Sequence, residues 1–439
     1  MLNIVFLFLY VILSGFLSGA ELFILLTVHF IICVIVHLRK KIAITPVFIF
    51  YLGVIIVNIA NVSLISQVEN HHITTYTYIV PKYINQAALI WCISSTLCVI
   101  GYQLTIKKSL PAIDVEIRKK KTLQNLFWIL FIANILTIIG FGMLTKGGNQ
   151  FAKIFGLLNS IGILFYARLW AKGKNRTYRM YAILLYVVET YIALTSSFLR
   201  FELILPTFYL FAGYFIGKGN LKYIFSYRII PLVAILVFYS SVFSTLQHNR
   251  SNFISVFTGG DDEEEREEPR EKQGENSGAL LNRSANLAQI TNVVNLVEKN
   301  GLYSGAASAP MITALVPRVL WPEKPLIQLG AWFALEIGVG SKTSMGTANN
   351  SINMTVAGQL YLDFGWIGVV LGSFLFGAFL AILWNATRFY SSEFNLTGTI
   401  FGGYLFLLSI GSYADLQVVI TLLSTYLIFL FIKKISKAK

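Results

Sequence analysis

The stretch LVPRVLWPEKP, residues 315–325, lies within the only long segment of the chain, 248–364, that is too polar to cross a membrane. Elsewhere the sequence consists mainly of apolar runs, each close to the roughly 20 residues that a helix needs to cross the hydrocarbon core of a bilayer. Arginines, paired prolines and aromatic residues concentrated in one polar segment mark the part of such a chain that can carry chemistry. The pattern predicts membrane-spanning helices around one large functional loop.

The composition supports the same class of protein. Hydrophobic residues make up 56% of the 439 residues and charged residues only 13%, whereas about a quarter of a soluble globular chain is charged. The net charge is +14, but the basic residues cluster at the ends of apolar runs, where orientation signals lie, so we predict no nucleic-acid partner. Cys33, Cys92 and Cys98 lie in apolar runs without metal-ligand spacing and are expected to be packing residues.

The apolar runs predict an all-α polytopic membrane protein with about 12 transmembrane helices, nine in residues 1–247 and three in residues 365–439. The links after spans two, four, six and eight are basic, as in HLRKK at 37–41, whereas segment 66–85 has a single basic residue. Basic links stay in the cytoplasm, which places both termini inside and the large loop, residues 248–364, outside between spans nine and ten. One of the hairpins could be re-entrant instead of spanning.

The large loop divides into two parts. Residues 259–278, GGDDEEEREEPREKQGENSG, are dominated by carboxylates and predict a flexible exposed stretch, with a divalent-metal site as the alternative interpretation. From residue 279 onward, apolar residues recur at helical spacing and Asn300-Gly301 supplies a stop, which predicts an amphipathic helix on the outer membrane face. The spaced residues are Leu280, Ile290, Val293, Val294 and Val297.

Four elements, in this order, resemble the Wzy-type polymerases of bacterial surface polysaccharides. They are TSSFLR ending at Arg200, Arg283 followed by the amphipathic segment, the proline-bounded stretch 317–325, and GQLYLDFGWIGVVLG at 358–372. The order of the four matters more than any single motif, because each motif alone is degenerate. The sequence departs from the family pattern at Gln359, where a glutamate is expected, which argues against an acid-base role for this position.

The resemblance implies a glycosyltransferase that needs no nucleotide sugar, cofactor or metal. Its donor and acceptor would be undecaprenyl-diphosphate-linked oligosaccharides, joined into O-antigen, capsule or exopolysaccharide, and the glycan of one would be transferred to a terminal sugar hydroxyl of the other. The reaction would take place at the outer face of the bacterial cytoplasmic membrane, on its periplasmic or extracellular side. The implied partners are these lipid-linked substrates, membrane lipids and a chain-length regulator protein.

The leaving lipid diphosphate suggests which residues would act. Guanidinium groups stabilise its developing charge because they are permanently charged and bind phosphate oxygens in bidentate fashion. We assign catalytic roles to Arg318 and Arg200, and to His248 as acceptor of the hydroxyl proton, because imidazole titrates near neutral pH. Pro317, Pro322 and Pro325 restrict the backbone around Arg318. Substrate- and diphosphate-binding roles are assigned to Arg250, Arg283, Lys324, Trp321, Tyr361 and Glu189.

Most of these assignments have a structural alternative. Glu189 lies close to three helical turns before Arg200, so both could face one polar cavity, or Glu189 could be a buried structural partner. Arg200 stands at a helix end, where snorkelling is ordinary, and Arg250 and Arg283 could simply contact lipid headgroups. The other candidates for the base are Glu336 and Asp363.

Two other classes of protein share parts of this pattern. An O-antigen ligase, which transfers finished glycan to a lipid A core or to protein, uses the same chemistry with a different acceptor. A flippase or secondary transporter can also have a dozen spans, but such folds normally show related halves. The sequence has no Gly-rich nucleotide loop, nucleophile elbow or HExxH motif, and His71-His72 lacks a third ligand, so neither a soluble-type active site nor a metal site is predicted.

Overall fold

The computed structural model of the chain describes residues 2–39, 46–69, 79–106, 149–196, 285–309, 329–339 and 352–387, and parts of 124–135 and 206–217. Every regular element in these ranges is helical, and they contain no strand. The helices are α1 Leu2–Leu13, α2 Gly19–Arg39, α3 Pro46–Glu69, α4 Ile84–Thr105, α5 Asn149–Gly173, α6 Arg176–Ser196, α7 Leu287–Asn300, α8 Leu329–Glu336, α9 Val356–Ile367 and α10 Ser373–Thr387. A 3-10 turn, Pro81–Tyr83, precedes α4, and a π-helical turn, Gly368–Gly372, joins α9 to α10.

Four helical runs are long and apolar enough to cross a membrane: Gly19–His37, Phe50–Val68, Pro81–Thr105 and Val356–Leu383. They overlap the apolar runs 22–36, 42–65, 86–106 and 365–384, which the sequence predicts as spans two, three, four and ten. Helices α1, α5 and α6 overlap the runs 2–18, 154–171 and 180–199, which it predicts as spans one, six and seven. The predicted spans nine, eleven and twelve lie outside the described residues. The described helices therefore have the length and composition of an all-helical membrane protein.

The described helices form two units, α1–α4 with α7–α10 in the first, and α5 with α6 in the second. In the second unit, α5 and α6 form a hairpin whose turn contains Lys174 at a positive φ of 51°. The side chain of Asn175 accepts a hydrogen bond from the Thr177 amide at 2.9 Å, which caps the start of α6. Phe127 stacks on Tyr181 with ring centroids 3.9 Å apart, so aromatic side chains fill the core of this unit.

Helix α4 lies at the centre of the first unit and contacts α1, α2, α7, α9 and α10. Its small residues let the neighbouring backbones come close, as is typical of helix packing in membranes. The contact with α10 is the tightest, because a Cβ atom at Gly101 would overlap the carbonyl oxygen of Phe374. A Cβ atom at Gly377 would likewise overlap the carbonyl oxygen of Cys98. Ser94 and Ser373 share a hydrogen bond of 2.7 Å in the same interface.

This interface predicts a strong effect of a larger side chain at Gly377. Gly377→Val must push α10 away from α4, because the obstacle is backbone, so we expect a loss of about 2 kcal/mol or more and reduced accumulation in the membrane fraction. The matched control is Gly15→Ala, since no heavy atom lies within 4 Å of its added Cβ. The measurement is the thermal denaturation midpoint of the detergent-purified variants. Equal midpoints for the two variants would contradict the close contact.

Helix α7 confirms that an amphipathic helix follows residue 279, whereas its place on the outer membrane face stays a prediction and Leu280 lies outside the described residues. It ends at Asn300, and Gly301 follows with a positive φ of 78°, which glycine adopts without strain. Ile290 and Val293 are completely buried, whereas Glu298 and Lys299 are exposed. The hydrophobic face therefore packs into the first unit, as the helical spacing predicts.

The run formed by α9, the π-helical turn and α10 begins at Val356, earlier than the start that the sequence predicts for span ten at residue 365. The hydroxyl of Thr355 accepts a hydrogen bond from the amide of Gly358 at 3.0 Å and so caps α9. Gly365 has a φ of 62° and a ψ of −145°, which breaks the regular helix where span ten was predicted to begin. The glycine therefore marks a kink within the run.

Candidate functional site

The described part of the site is the end of α7, segment 301–309 and α9, all in the first unit. Of the predicted site residues, Tyr361 lies on α9, and Glu189 lies on α6 in the second unit. The other predicted site residues lie outside the described residues: Arg318, Arg200, His248, Arg250, Arg283, Lys324 and Trp321. The acidic stretch 259–278 and the pair His71-His72 also lie outside the described residues.

Segment 301–309 is bound to α9 through its backbone. The amide of Tyr303 donates to the carbonyl of Leu362 and the amide of Ser304 donates to the carbonyl of Asp363, both at 3.0 Å. The side chain of Phe364 lies over Gly305, whose φ of 92° lets the segment turn beneath the ring. The first residues after α7 therefore have one defined position on a helical run that is long and apolar enough to cross a membrane.

Asp363 is the centre of this attachment. Its Oδ1 accepts from the amide of Ala307 at 3.0 Å, and its Oδ2 accepts from the hydroxyl of Ser308. The side chain is buried, with 1% exposure, so an ionised carboxylate here needs these donors. Both oxygens already have protein donors in this arrangement, which suits a positioning role better than proton transfer from a substrate.

The contacts of Gln359 explain why an amide stands where the family pattern has a glutamate. The residue is completely buried, and its Nε2 donates to the carbonyl of Ala307 at 3.1 Å and to Oγ of Ser308 at 3.3 Å. An ionised glutamate has no hydrogen to donate, and its charge would stand beside that of Asp363. The side-chain amide of Gln359 therefore completes the attachment of segment 301–309 to α9. An ionised carboxylate at this position would weaken that attachment.

Tyr361 contacts the beginning of α4. The Nε2 of Gln86 donates to the Tyr361 hydroxyl oxygen at 2.6 Å, and Trp366 packs edge-on to the Tyr361 ring with centroids 5.6 Å apart. Tyr361 is buried, whereas Trp366 is partly exposed at 37%. The motif residue Tyr361 thus links α9 to α4, and Trp366 is partly exposed beside it.

A carboxylate that sequence analysis missed lies at the end of α7. Glu298 forms an ion pair with Lys82, with Nζ and Oε1 2.9 Å apart, and its other oxygen accepts from the hydroxyl of Tyr83. Lys82 and Glu298 are 70% and 50% exposed in their side chains, whereas Tyr83 is buried. The helical spacing that predicts α7 places Glu298 on the solvated face of this helix. Because the partners of Glu298, Lys82 and Tyr83, lie far away in the chain, no local signal could have identified them.

Asn61 on α3 holds the other end of α7 and was also missed. Its Oδ1 accepts from the amides of Asn286 and Leu287 at 3.0 and 3.2 Å, and its Nδ2 donates to Oδ1 of Asn286 at 2.8 Å. These bonds satisfy backbone donors at the helix start, which lacks a capping side chain of its own. The available signal was a polar residue inside an otherwise apolar span.

The other two candidate carboxylates, Glu189 and Glu336, have different surroundings. Glu189 accepts a hydrogen bond from Nδ2 of Asn159, which also donates to the carbonyl of Leu185 at 3.3 Å, so Glu189 links α5 to α6. Glu336 is exposed at the end of α8. Within the described ranges, no three His, Cys, Asp or Glu side chains come together as a metal-binding group.

These features indicate the class of the protein: within the described residues it is all-helical, with four helical runs long and apolar enough to cross a membrane, and the segment after an amphipathic helix is bound to the kinked one of these runs. The chain belongs to the family described as Domain of unknown function (DUF8712), which matches residues 42–439. No curated protein matches the chain, and no solved structure does.

Proposed function

We propose that the protein polymerises undecaprenyl-diphosphate-linked oligosaccharide repeat units into a bacterial surface polysaccharide. The observation that carries the proposal is the fold of the GQLYLDFG element, which resembles a motif of the Wzy-type polymerases. Its Gln359 and Asp363 hold Ser308 and Ala307, and the sequence then continues into the stretch that contains Arg318. The motif therefore supports the beginning of the segment in which the resemblance predicts the catalytic arginine.

The proposed reaction needs an acceptor hydroxyl, a base and a stabilised leaving group. The hydroxyl oxygen of the acceptor sugar bonds to the anomeric carbon of the donor, while the bond from that carbon to the diphosphate oxygen breaks. The diphosphate leaves with the electron pair, and Arg318 and Arg200 stabilise its charge. His248 takes the hydroxyl proton. The product is a glycan longer by the transferred saccharide and a free undecaprenyl diphosphate.

The proposal includes a topology of about 12 spans with the large loop on the outer face of the cytoplasmic membrane. The basic links predict that an enzyme reporter fused near Gly274 is active only outside the cytoplasm, and that one fused after Lys121 is active only inside. Paired reporters, active in the periplasm or in the cytoplasm, measure both positions in the same cells. Activity of the Gly274 fusion in the cytoplasm would reject the proposed side of the site.

Purified protein tests the proposed function directly. In lipid nanodiscs supplied with lipid-linked repeat units, we expect a ladder of glycans that grows with time and persists in EDTA, because the proposed mechanism uses cationic side chains where other enzymes use a metal. A gel of the products measures chain length. Loss of the ladder in EDTA with recovery in Mg²⁺ or Mn²⁺ would contradict the mechanism, and transfer of finished glycan to a lipid A core without chain growth would identify a ligase.

A further inference from the structure

We propose that Glu298, held by Tyr83 and paired with Lys82, binds the hydroxyl groups of the acceptor saccharide. This inference rests on the proposed glycosyl transfer and adds a subsite to it. The subsite lies where the 3-10 turn before α4, the end of α7 and α9 come together in the first unit. It consists of Lys82, Tyr83 and Glu298, with Gln86 in the first turn of α4.

These groups lie at the junction of the 3-10 turn with the start of α4. Tyr83 is the last residue of the 3-10 turn, and Gln86 lies in the first turn of α4. The hydroxyl of Tyr83 donates to Glu298, and Nε2 of Gln86 donates to the Tyr361 hydroxyl oxygen at 2.6 Å. The end of α7 is thereby held against the 3-10 turn, and the middle of α9 is held against the first turn of α4.

Tyr83, more than Lys82, fixes the position of the Glu298 carboxylate. An exposed ion pair such as Lys82 with Glu298 contributes little by itself, because solvent screens it and two long side chains must be ordered. Tyr83 is different, because its ring is only 8% exposed while its hydroxyl reaches the carboxylate. The buried phenol thus orients one oxygen of Glu298, and the half-exposed side chain stays accessible to a ligand.

The charges of Glu298 and Lys82 indicate the chemical class of the ligand. Glu298 and Lys82 together carry no net charge, so the pair offers no attraction to a diphosphate. A carboxylate beside an ammonium supplies both acceptors and donors, which suits neighbouring sugar hydroxyls because each of them can donate and accept. A neutral saccharide fits this combination, whereas the charged end of the donor does not.

Saccharide binding without turnover tests the inference. The probe is the lipid-free oligosaccharide released by mild hydrolysis from the surface polysaccharide of the source organism, measured by saturation-transfer NMR on the full chain in nanodiscs. We expect Glu298→Gln to weaken binding at least about tenfold, because hydrogen bonds to a charged acceptor become bonds to a neutral one. The control, Glu21→Gln, should bind as the wild type does, because Glu21 accepts its bonds from Ser18 on an exposed helix start.

A double variant that exchanges the charges of Lys82 and Glu298 distinguishes a role of Glu298 in saccharide binding from a purely structural role of the ion pair. Lys82→Glu combined with Glu298→Lys can restore an ion pair between the turn and α7, but it removes the carboxylate from the place where Tyr83 donates. We expect binding to remain weak in this double variant and the acceptor KM to rise with little change in kcat in the polymerisation assay. Unchanged affinity in Glu298→Gln, or full recovery in the double variant, would overturn the inference. Saccharide binding by a wild-type protein that forms no chains would retain the subsite and reject the polymerase.

Discussion

Replacing Arg318 by lysine is expected to lower the rate of chain growth about a hundredfold, while the protein still inserts and accumulates normally. Lysine keeps the positive charge but loses the planar pair of donors that binds two phosphate oxygens of the leaving diphosphate. The loss of one such transition-state donor costs on the order of 3 kcal/mol, which corresponds to the expected change in rate. On a gel, long glycan chains should collapse towards single repeat units.

The matched control for Arg318→Lys is Arg39→Lys, at the exposed end of α2, where only charge is needed for orientation. Chain length should not change in this control. If Arg318→Lys made chains of normal length, Arg318 would be a lipid-headgroup anchor, and the leaving diphosphate would have to be assigned to Arg200 and Arg283.

The second large effect is expected at Asp363. Asp363→Leu removes both acceptors, so the buried amide of Ala307 and the partly buried hydroxyl of Ser308 lose their partner. Each buried donor left unsatisfied costs about 1–3 kcal/mol, so segment 301–309 should detach from α9. Hydrogen exchange of the Ala307 amide measures the detachment, and we expect fast exchange together with loss of chain growth.

Two milder variants distinguish attachment from proton transfer. Ser308→Ala removes one donor and leaves the amide of Ala307 paired, and Asp363→Asn keeps one carbonyl acceptor, so both should show intermediate exchange and intermediate activity. If Asp363 were the base, Asp363→Asn would abolish activity while the amide of Ala307 stayed protected. That result would restore Asp363 as a catalytic candidate.

Helix α7 and the long apolar helices of the first unit were predictable because their signals are local, whereas α8 was not predicted. The spacing of Ile290 and Val293 and the Asn300-Gly301 stop define α7 without knowledge of any other part of the chain. Apolar composition likewise predicts the four long runs, since a helix must satisfy its own backbone in a membrane. The start of α9 was predicted too late because Gln359 and Asp363 suggest a loop, and only segment 301–309 explains how a helix can bury them.

The contacts of the candidate site could not be predicted, because they join residues far apart in the chain. The motif identifies Tyr361, but its partner Gln86 lies 275 positions away, and the partners Glu298 and Tyr83 are separated by 215 positions. Neither Gln86 nor Tyr83 belongs to a motif, and each alone is an ordinary residue at a helix start. Their importance depends on which helix ends meet, and this is a property of the packing around α4.

The kink at Gly365 also has a consequence for biogenesis. The carbonyls of Leu362 and Asp363, just before the kink, accept from the amides of Tyr303 and Ser304, which leave the ribosome before α9 does. An unpaired backbone carbonyl in lipid costs several kcal/mol, so a broken helix that awaited a later partner would enter the bilayer at a penalty. Here the partner is upstream, and the kinked run can partition into the membrane with these two carbonyls already hydrogen-bonded.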